Sequence, residues 1–303
     1  MPTICYTPRK FSPGSQEMIA QANKIINEYQ AQGFNLTLRQ LYYQFVARGL
    51  IANRVTEYKR LGSVINDARL AGEVDWEAIE DRTREVRTNP HWDSPSDLIN
   101  AAARQYLNNR WDTQPYYVEV WIEKDALVGV FERACTQLDV PLLSCRGYTS
   151  QSEMWRAGQR LIEKSDEGKE IVVLHFGDHD PSGIDMTRDI TDRLELFGAN
   201  LDMRRLALNY DQVKKYNPPE NPAKETDSRY IGYMSKYGDK SYELDALEPT
   251  VLAKLVTREV QSLIDDDAWE EATERQEQGR KELVAVAGAW EKAVKHIQTR
   301  RKK

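Results

Sequence analysis

The chain has few cysteines, no long apolar run and no phosphate-binding glycine loop, and each absence removes a class of protein. Its three cysteines, Cys5, Cys135 and Cys145, show no paired spacing, so neither a zinc site nor a disulfide framework is expected. No stretch nears the roughly 20 apolar residues of a membrane span, and the opening Met-Pro-Thr-Ile-Cys-Tyr lacks a secretory pattern. Together with reduced thiols, these features point to a cytoplasmic protein. No Gly-rich loop ends in Lys-Ser or Lys-Thr, so the chain itself is not expected to hydrolyse ATP. Internal repeats and low-complexity tracts are missing too.

What is present describes a globular protein. At 303 residues, 40% hydrophobic and 30% charged, the chain suits two domains with a real core. The net charge of −6 is unevenly spread. Residues 1–70 carry nine basic side chains against four acidic ones, and the last 13 residues carry six against one. Phosphate contacts act within about a Debye length, roughly 10 Å at moderate salt, so a locally basic surface suits DNA on an acidic molecule. For the tail, a solvated helix end is the plainer reading.

Residues 174–183 read Leu-His-Phe-Gly-Asp-His-Asp-Pro-Ser-Gly. The preceding Ile171, Val172, Val173 and Leu174 form a short β-branched run, the pattern of a strand buried on both faces. Pro181, Ser182 and Gly183 stop it and open a helix. Asp178 and Asp180 then lie past the carboxyl end of a parallel strand, where open α/β sheets bind ligands. Two carboxylates so close are costly unless a cation lies between them, and an oxygen-only donor set favours Mg²⁺. The plain alternative is a polar loop that caps a helix.

A second strand is expected at 116–123, with Glu123 at its carboxyl end and a helix carrying Ala126, Leu127, Val130, Phe131 and Ala134 after it. A further strand at 140–143 and a helix at 151–164 complete a βαβαβ series. Right-handed crossovers bring Glu123, Asp178 and Asp180 to one edge, a set suited to Mg²⁺-assisted phosphate chemistry.

The first domain reads as three helices and a wing. Met18, Ala22, Ile25 and Tyr29 mark a helix at 16–32, and Thr37 with Gln40 form a capping box opening a second that runs to about residue 48. Tyr58, Leu61, Ile65 and Ala68 line a third at 56–70, and Gly72, Val74 and Trp76 follow as a short strand or wing. This is the layout of a winged helix-turn-helix, with Lys59, Arg60, Asn66 and Arg69 as exposed DNA contacts on the third helix. A protein-binding module is the alternative. On the second helix, Leu38, Leu41, Tyr42 and Phe45 form the buried stripe, while Tyr43 falls on the face of Arg39. Tyr42 thus reads as core and Tyr43 as a presented phenol, which a neighbouring guanidinium would bias toward phenolate. An interface tyrosine stacked on an arginine fits the same spacing.

In combination, these segments resemble the A subunit of type IIB topoisomerases (topoisomerase VI) and its relatives that make meiotic double-strand breaks. Thr37-Leu38-Arg39-Gln40-Leu41-Tyr42-Tyr43 is similar to the family's Thr-x-Arg-x-x-Tyr-Tyr segment. Ile122-Glu123-Lys124 and Gly177-Asp178-His179-Asp180-Pro181-Ser182-Gly183 resemble the acidic motifs of its Toprim domain. Arg146-Gly147-Tyr148-Thr149-Ser150 resembles the segment between them, with Thr149 in place of proline. The resemblance covers roughly residues 35–210. It implies an α/β protein with a winged-helix domain at 1–112 and a Rossmann-like Toprim domain with C-terminal helices at 113–303.

By position, the resemblance implies Tyr43 as nucleophile, Arg39 as phosphate-binding helper, and Glu123, Asp178 and Asp180 as Mg²⁺ ligands. Glu123 would also assist proton transfer, Asp185 would stand in a second metal shell, and His179 would face away from the ligands. A homodimer would pair tyrosine and metal in trans on double-stranded DNA. The short stretch before Tyr43 is similar to free-standing mini-A forms of mobile elements and viruses, rather than to subunits with a separate ATPase partner. Two other functions stay open at this point: a Toprim nuclease that uses water, and a non-catalytic DNA-binding protein. Elsewhere, 210–230 reads as an extended loop, Tyr242 to Pro249 as a strand leading to a helix at 251–264, and 266–299 as one long charged helix.

Overall fold

A computed structural model describes residues 3–79 and 89–300. Three helices come first: α1 (Pro13–Gln30), α2 (Leu38–Ala47) and α3 (Val55–Leu70). Ser12 caps α1 and the expected Thr37–Gln40 capping box opens α2, so local chemistry sets both starts. Met18, Ala22, Ile25 and Tyr29 of α1 meet Leu41 and Phe45 of α2 and Leu61, Ile65 and Ala68 of α3 in one buried cluster. No strand forms over Gly72 to Trp76, where a strand or wing was expected. Gly72 to Ala78 run through turns, and a single parallel bridge pairs Leu36 with Ile79. Val74 is buried, so the segment closes the bottom of the cluster instead of projecting as a strand.

After α4 (Pro95–Gln105) the chain enters an α/β unit: β1 (Tyr116–Ile122), α5 (Val128–Leu138), β2 (Leu142–Ser144), α6 (Gln151–Asp166), β3 (Glu170–Phe176), α7 (Pro181–Leu196) and β4 (Asp202–Ala207). The four strands are parallel in the order β2-β1-β3-β4. Alternation decides the layers. Val118, Val120, Ile122, Val172, Leu174 and Phe176 pack on α5, whereas Trp121, Ile171 and Val173 pack on α6 and α7. Helices on both faces explain the unbroken apolar runs of β1 and β3. From β1 the chain steps to β2 on one side and returns past it to β3 on the other. That reversal opens a crevice between the ends of β1 and β3, the ligand position of such sheets.

The remainder is more regular than expected. Residues 210–230 hold α8 (Tyr210–Tyr216), opened by an Asn209–Gln212 capping box, and β5 (Asn221–Pro222). The helix α9 (Tyr230–Tyr237) starts at the end of that stretch. No strand spans Tyr242 to Pro249. Instead β6 (Lys240–Ser241) pairs with β5, Tyr242 bridges His179, and a 3₁₀ turn covers Leu244–Ala246. This turn packs against α2, and Ala246 joins the first helical cluster. Then follow α10 (Pro249–Gln261), which packs on α5, and the long α11 (Asp266–Arg300), along which α4 lies. The tail bases Arg301, Lys302 and Lys303 fall outside the described residues. Among the described residues, no helix is long and apolar enough to cross a membrane.

Phe45 is fully buried among the first three helices. Phe45→Ala is therefore expected to cost about 3–5 kcal/mol in denaturant unfolding, whereas Tyr43→Phe, which removes one hydroxyl, should cost about 1 kcal/mol.

Candidate active site

The crevice between β1 and β3 collects acids because the two strands stay in register to their ends. Ile122 pairs with Phe176, and the Glu123 backbone N–H donates to the Phe176 carbonyl at 2.9 Å. The Glu123 carboxylate turns across the gap and accepts the Asp178 N–H at 2.8 Å. Asp178 accepts the Leu244 N–H at 2.8 Å on one oxygen and pairs with Lys124 Nζ at 2.9 Å on the other. Asp180 caps α7, accepting Gly183 N–H at 2.5 Å and Ser182 Oγ at 2.8 Å. The turn needs glycine at 183: a Cβ there would stand 2.3 Å from the Asp178 carbonyl oxygen.

The three acids thus meet at one edge, but their side chains do not converge as a cage. Among the described residues, no group of three His, Cys, Asp or Glu side chains is placed to hold a metal ion. The donor chemistry nevertheless suits a hard cation, being oxygen throughout. Burial raises the Glu123 carboxyl above its usual range, helped by the Asp180 charge, and burial raises Asp178 despite Lys124. Both shifts are what a bound cation would relieve. A cation bound here would have to replace some of the N–H bonds that the oxygens now accept.

The second component arrives from the helical unit. Arg39 Nη2 donates to the Tyr43 hydroxyl at 3.3 Å and to Glu243 at 3.1 Å, while its Nε pairs with Asp245 at 3.1 Å. Lys124 Nζ pairs with the same Asp245 at 3.0 Å and with Glu243. One unbroken line of charge therefore runs from Tyr43 through Arg39, Asp245 and Lys124 to Asp178. Burial alone would lower the pKa of Arg39 and of Lys124, yet the carboxylates around each more than offset it, so both remain cations.

Tyr43 departs from expectation. It is 5% exposed, the same as Tyr42, because the 243–246 segment covers the face of α2 that the helical spacing left to solvent. Its remaining edge opens on a cavity of about 460 Å³ lined also by Arg39, Tyr42, Asn53, Tyr58 and Glu243. Arg39 does not make it a phenolate. Burial, with the Asp245 and Glu243 charges, outweighs the guanidinium and pushes the phenol up to about 12.

Of the expected DNA contacts, Lys59, Arg60 and Asn66 are exposed on α3, with Arg60 paired to Glu57 at 3.2 Å. Arg69 is not among them. It stacks on Trp76 at 4.8 Å, donates to the Trp76 carbonyl, and burial lowers its pKa. Asp185 accepts from Tyr148 at 2.9 Å and pairs with Arg188 and Arg229 at 2.8 Å each. His179 faces away from the acids into rings of Tyr210, Tyr233, Tyr237 and Tyr242, and its Nδ1 bonds the Tyr233 hydroxyl at 2.7 Å. His175 is buried beside Thr187, a core position.

Arg205 is the residue that sequence reasoning missed. It rises from β4 behind the acids, donating to the carbonyls of Asp178 at 2.7 Å and Gly183 at 2.9 Å. Burial lowers its pKa to about 10 against the pull of Glu123, Asp178 and Asp180. The available signal was Arg204-Arg205 between Met203 and Leu206 one helix after β3, since alternation must turn one of the pair inward.

Comparison with protein-family models, curated proteins and solved structures finds no match for this chain.

The balance at Tyr43 is measurable by ultraviolet titration of the folded protein against its Tyr43→Phe variant. The difference spectrum should show a phenol ionising near 12. Ionisation at or below the ordinary value of about 10 would mean that the guanidinium dominates.

Proposed function

We propose that the chain is a Mg²⁺-dependent transesterase that breaks double-stranded DNA with Tyr43. The observation that carries this reading is the continuous link from the Tyr43 hydroxyl through Arg39, Asp245 and Lys124 to Asp178, which couples a phenol to strand-end acids. The motif resemblance to the topoisomerase VI A subunit supports it, with winged-helix and Toprim units as the proposed identities of the two parts. Tyr43 Oη forms a bond to a backbone phosphorus, and the bond from phosphorus to the 3′ oxygen breaks. The products are a 5′-phosphotyrosyl link and a free 3′ hydroxyl. Arg39 steadies the phosphate with two donors, the geometry that suits phosphoryl oxygens.

Glu123, Asp178 and Asp180 would hold Mg²⁺, which when bound supplies positive charge to the phosphate as negative charge develops. Glu123 is the carboxyl offered for proton transfer, its pKa already raised by burial. Lys59, Arg60 and Asn66 on α3 contribute contacts to the duplex. A twofold dimer would set one such site on each strand of the duplex and so cut both.

A second reading has one observation in its favour. The burial of Tyr43 and its high pKa suit a Toprim-type nuclease in which water attacks and the tyrosine only positions DNA. Supercoiled plasmid incubated with the protein and Mg²⁺, then run with and without prior proteinase, separates the two. The transesterase predicts broken DNA that enters the gel as free linear form only after proteinase, and none with Tyr43→Phe or with a chelator. Free linear DNA without proteinase, undiminished by Tyr43→Phe, establishes the nuclease instead.

A further inference from the structure

The geometry points to a phosphate-oxygen site formed by Arg39 and Lys124, held in the free chain by the carboxylate of Glu243. A single oxygen, Glu243 Oε2, touches both cations, at 3.1 Å from Arg39 Nη2 and in direct contact with Lys124 Nζ. The same Nη2 donates to the Tyr43 hydroxyl at 3.3 Å, so that oxygen sits where an anion attacked by the phenol would sit. A planar guanidinium and a point-charge ammonium are the two cation types that recognise phosphate, and a phosphodiester oxygen accepts from both as a carboxylate oxygen does.

The two carboxylates shared by both cations are not equivalent. Asp245 is 1% exposed and pairs with Arg39 and Lys124 on separate oxygens. Glu243 is 27% exposed and lines the cavity beside Tyr43. Removing Glu243 therefore leaves the half-exposed Arg39 and the largely buried Lys124 each a counter-ion in Asp245, which is the condition for an inexpensive exchange. The backbone need not move, because the Leu244 N–H is anchored on Asp178 at 2.8 Å. Lys224, exposed nearby, already acts on the Glu243 charge and offers the displaced carboxylate a partner. Counting charge gives the same result. Lys124 already faces Asp178, Glu243 and Asp245, so a phosphate added without displacing Glu243 would make a fourth anion around one ammonium.

The site for a phosphate oxygen rests on this geometry alone, whereas its occupancy by DNA rests on the transesterase reading. Two measurements without divalent cation keep these apart. In the first, inorganic phosphate is titrated against chloride of equal ionic strength while thermal unfolding is followed. Glu243→Gln should gain Tm with phosphate, wild type should gain far less, and adding Lys124→Gln to Glu243→Gln should abolish the gain. In the second, a fluorescent DNA duplex is titrated by anisotropy, and Glu243→Gln should bind about tenfold tighter than wild type, equivalent to about 1.4 kcal/mol.

Circular dichroism checks that the variants fold, and Glu243→Ala replaces Glu243→Gln if that one does not. Equal phosphate responses in wild type and the Glu243 variants overturn the site. A phosphate response with no duplex binding by any variant leaves the site standing and overturns the DNA reading.

Discussion

Asp245 is the group on which the arrangement depends. It is almost wholly buried, and it joins Arg39, carried by α2, to Lys124, which follows β1. A carboxylate so placed has lost its hydration, and the Arg39 and Lys124 cations compensate it. Removing one partner of such a group typically costs about 3–5 kcal/mol, because a charge is left buried and unpaired. The bridge therefore specifies how the helical cluster docks on the sheet more than it adds to stability. Neighbouring contacts follow the same seam: Tyr29 donates to Glu248, Asn53 donates to Asn221 at 2.9 Å, and Ala246 fills the edge of the first core.

The sheet supplies the other half of the constraint. With the order β2-β1-β3-β4, the two central strands end together, and whatever residue follows each is forced into one crevice. Glu123 and Asp178 meet there through a backbone N–H, so their relation is set by the strand register and not by flexible side chains. Arg205 underpins the turn from below by binding its carbonyls. Acids on a rigid edge, a phenol on a docked helix and cations between them form a site whose parts share charges.

What could be read in the sequence was whatever local chemistry decides. The capping box of α2, the apolar stripe of α1, the buried runs of β1 and β3, and the long α11 all follow from spacing and caps. The edge shared by Glu123, Asp178 and Asp180 follows from strand, acid, helix occurring twice. What could not be read depends on distant segments. Helical spacing put Tyr43 on an open face, yet a turn some 200 residues later covers it, and no periodicity within α2 carries that information. Residues 242–249 read as a strand leading to a helix, while the actual role of 244–246 comes from Asp178 and α2 on either side. The helix α8 hid behind Asn and Pro residues, which end it at Asn217 instead of excluding it. Arg69 had the spacing of a surface contact until Trp76 folded over it.

The reading of Tyr43 as nucleophile is tested most directly at the bond it would form. Wild-type protein reacted with duplex DNA and Mg²⁺, then digested with nuclease and protease, can be searched by mass spectrometry for a modified peptide. The account predicts a 5′-nucleotide on the peptide containing Tyr43, with fragment ions that put the phosphate on that residue rather than on Tyr42. Cut DNA with every Tyr43 peptide unmodified, or an adduct carried by a different residue, would contradict it.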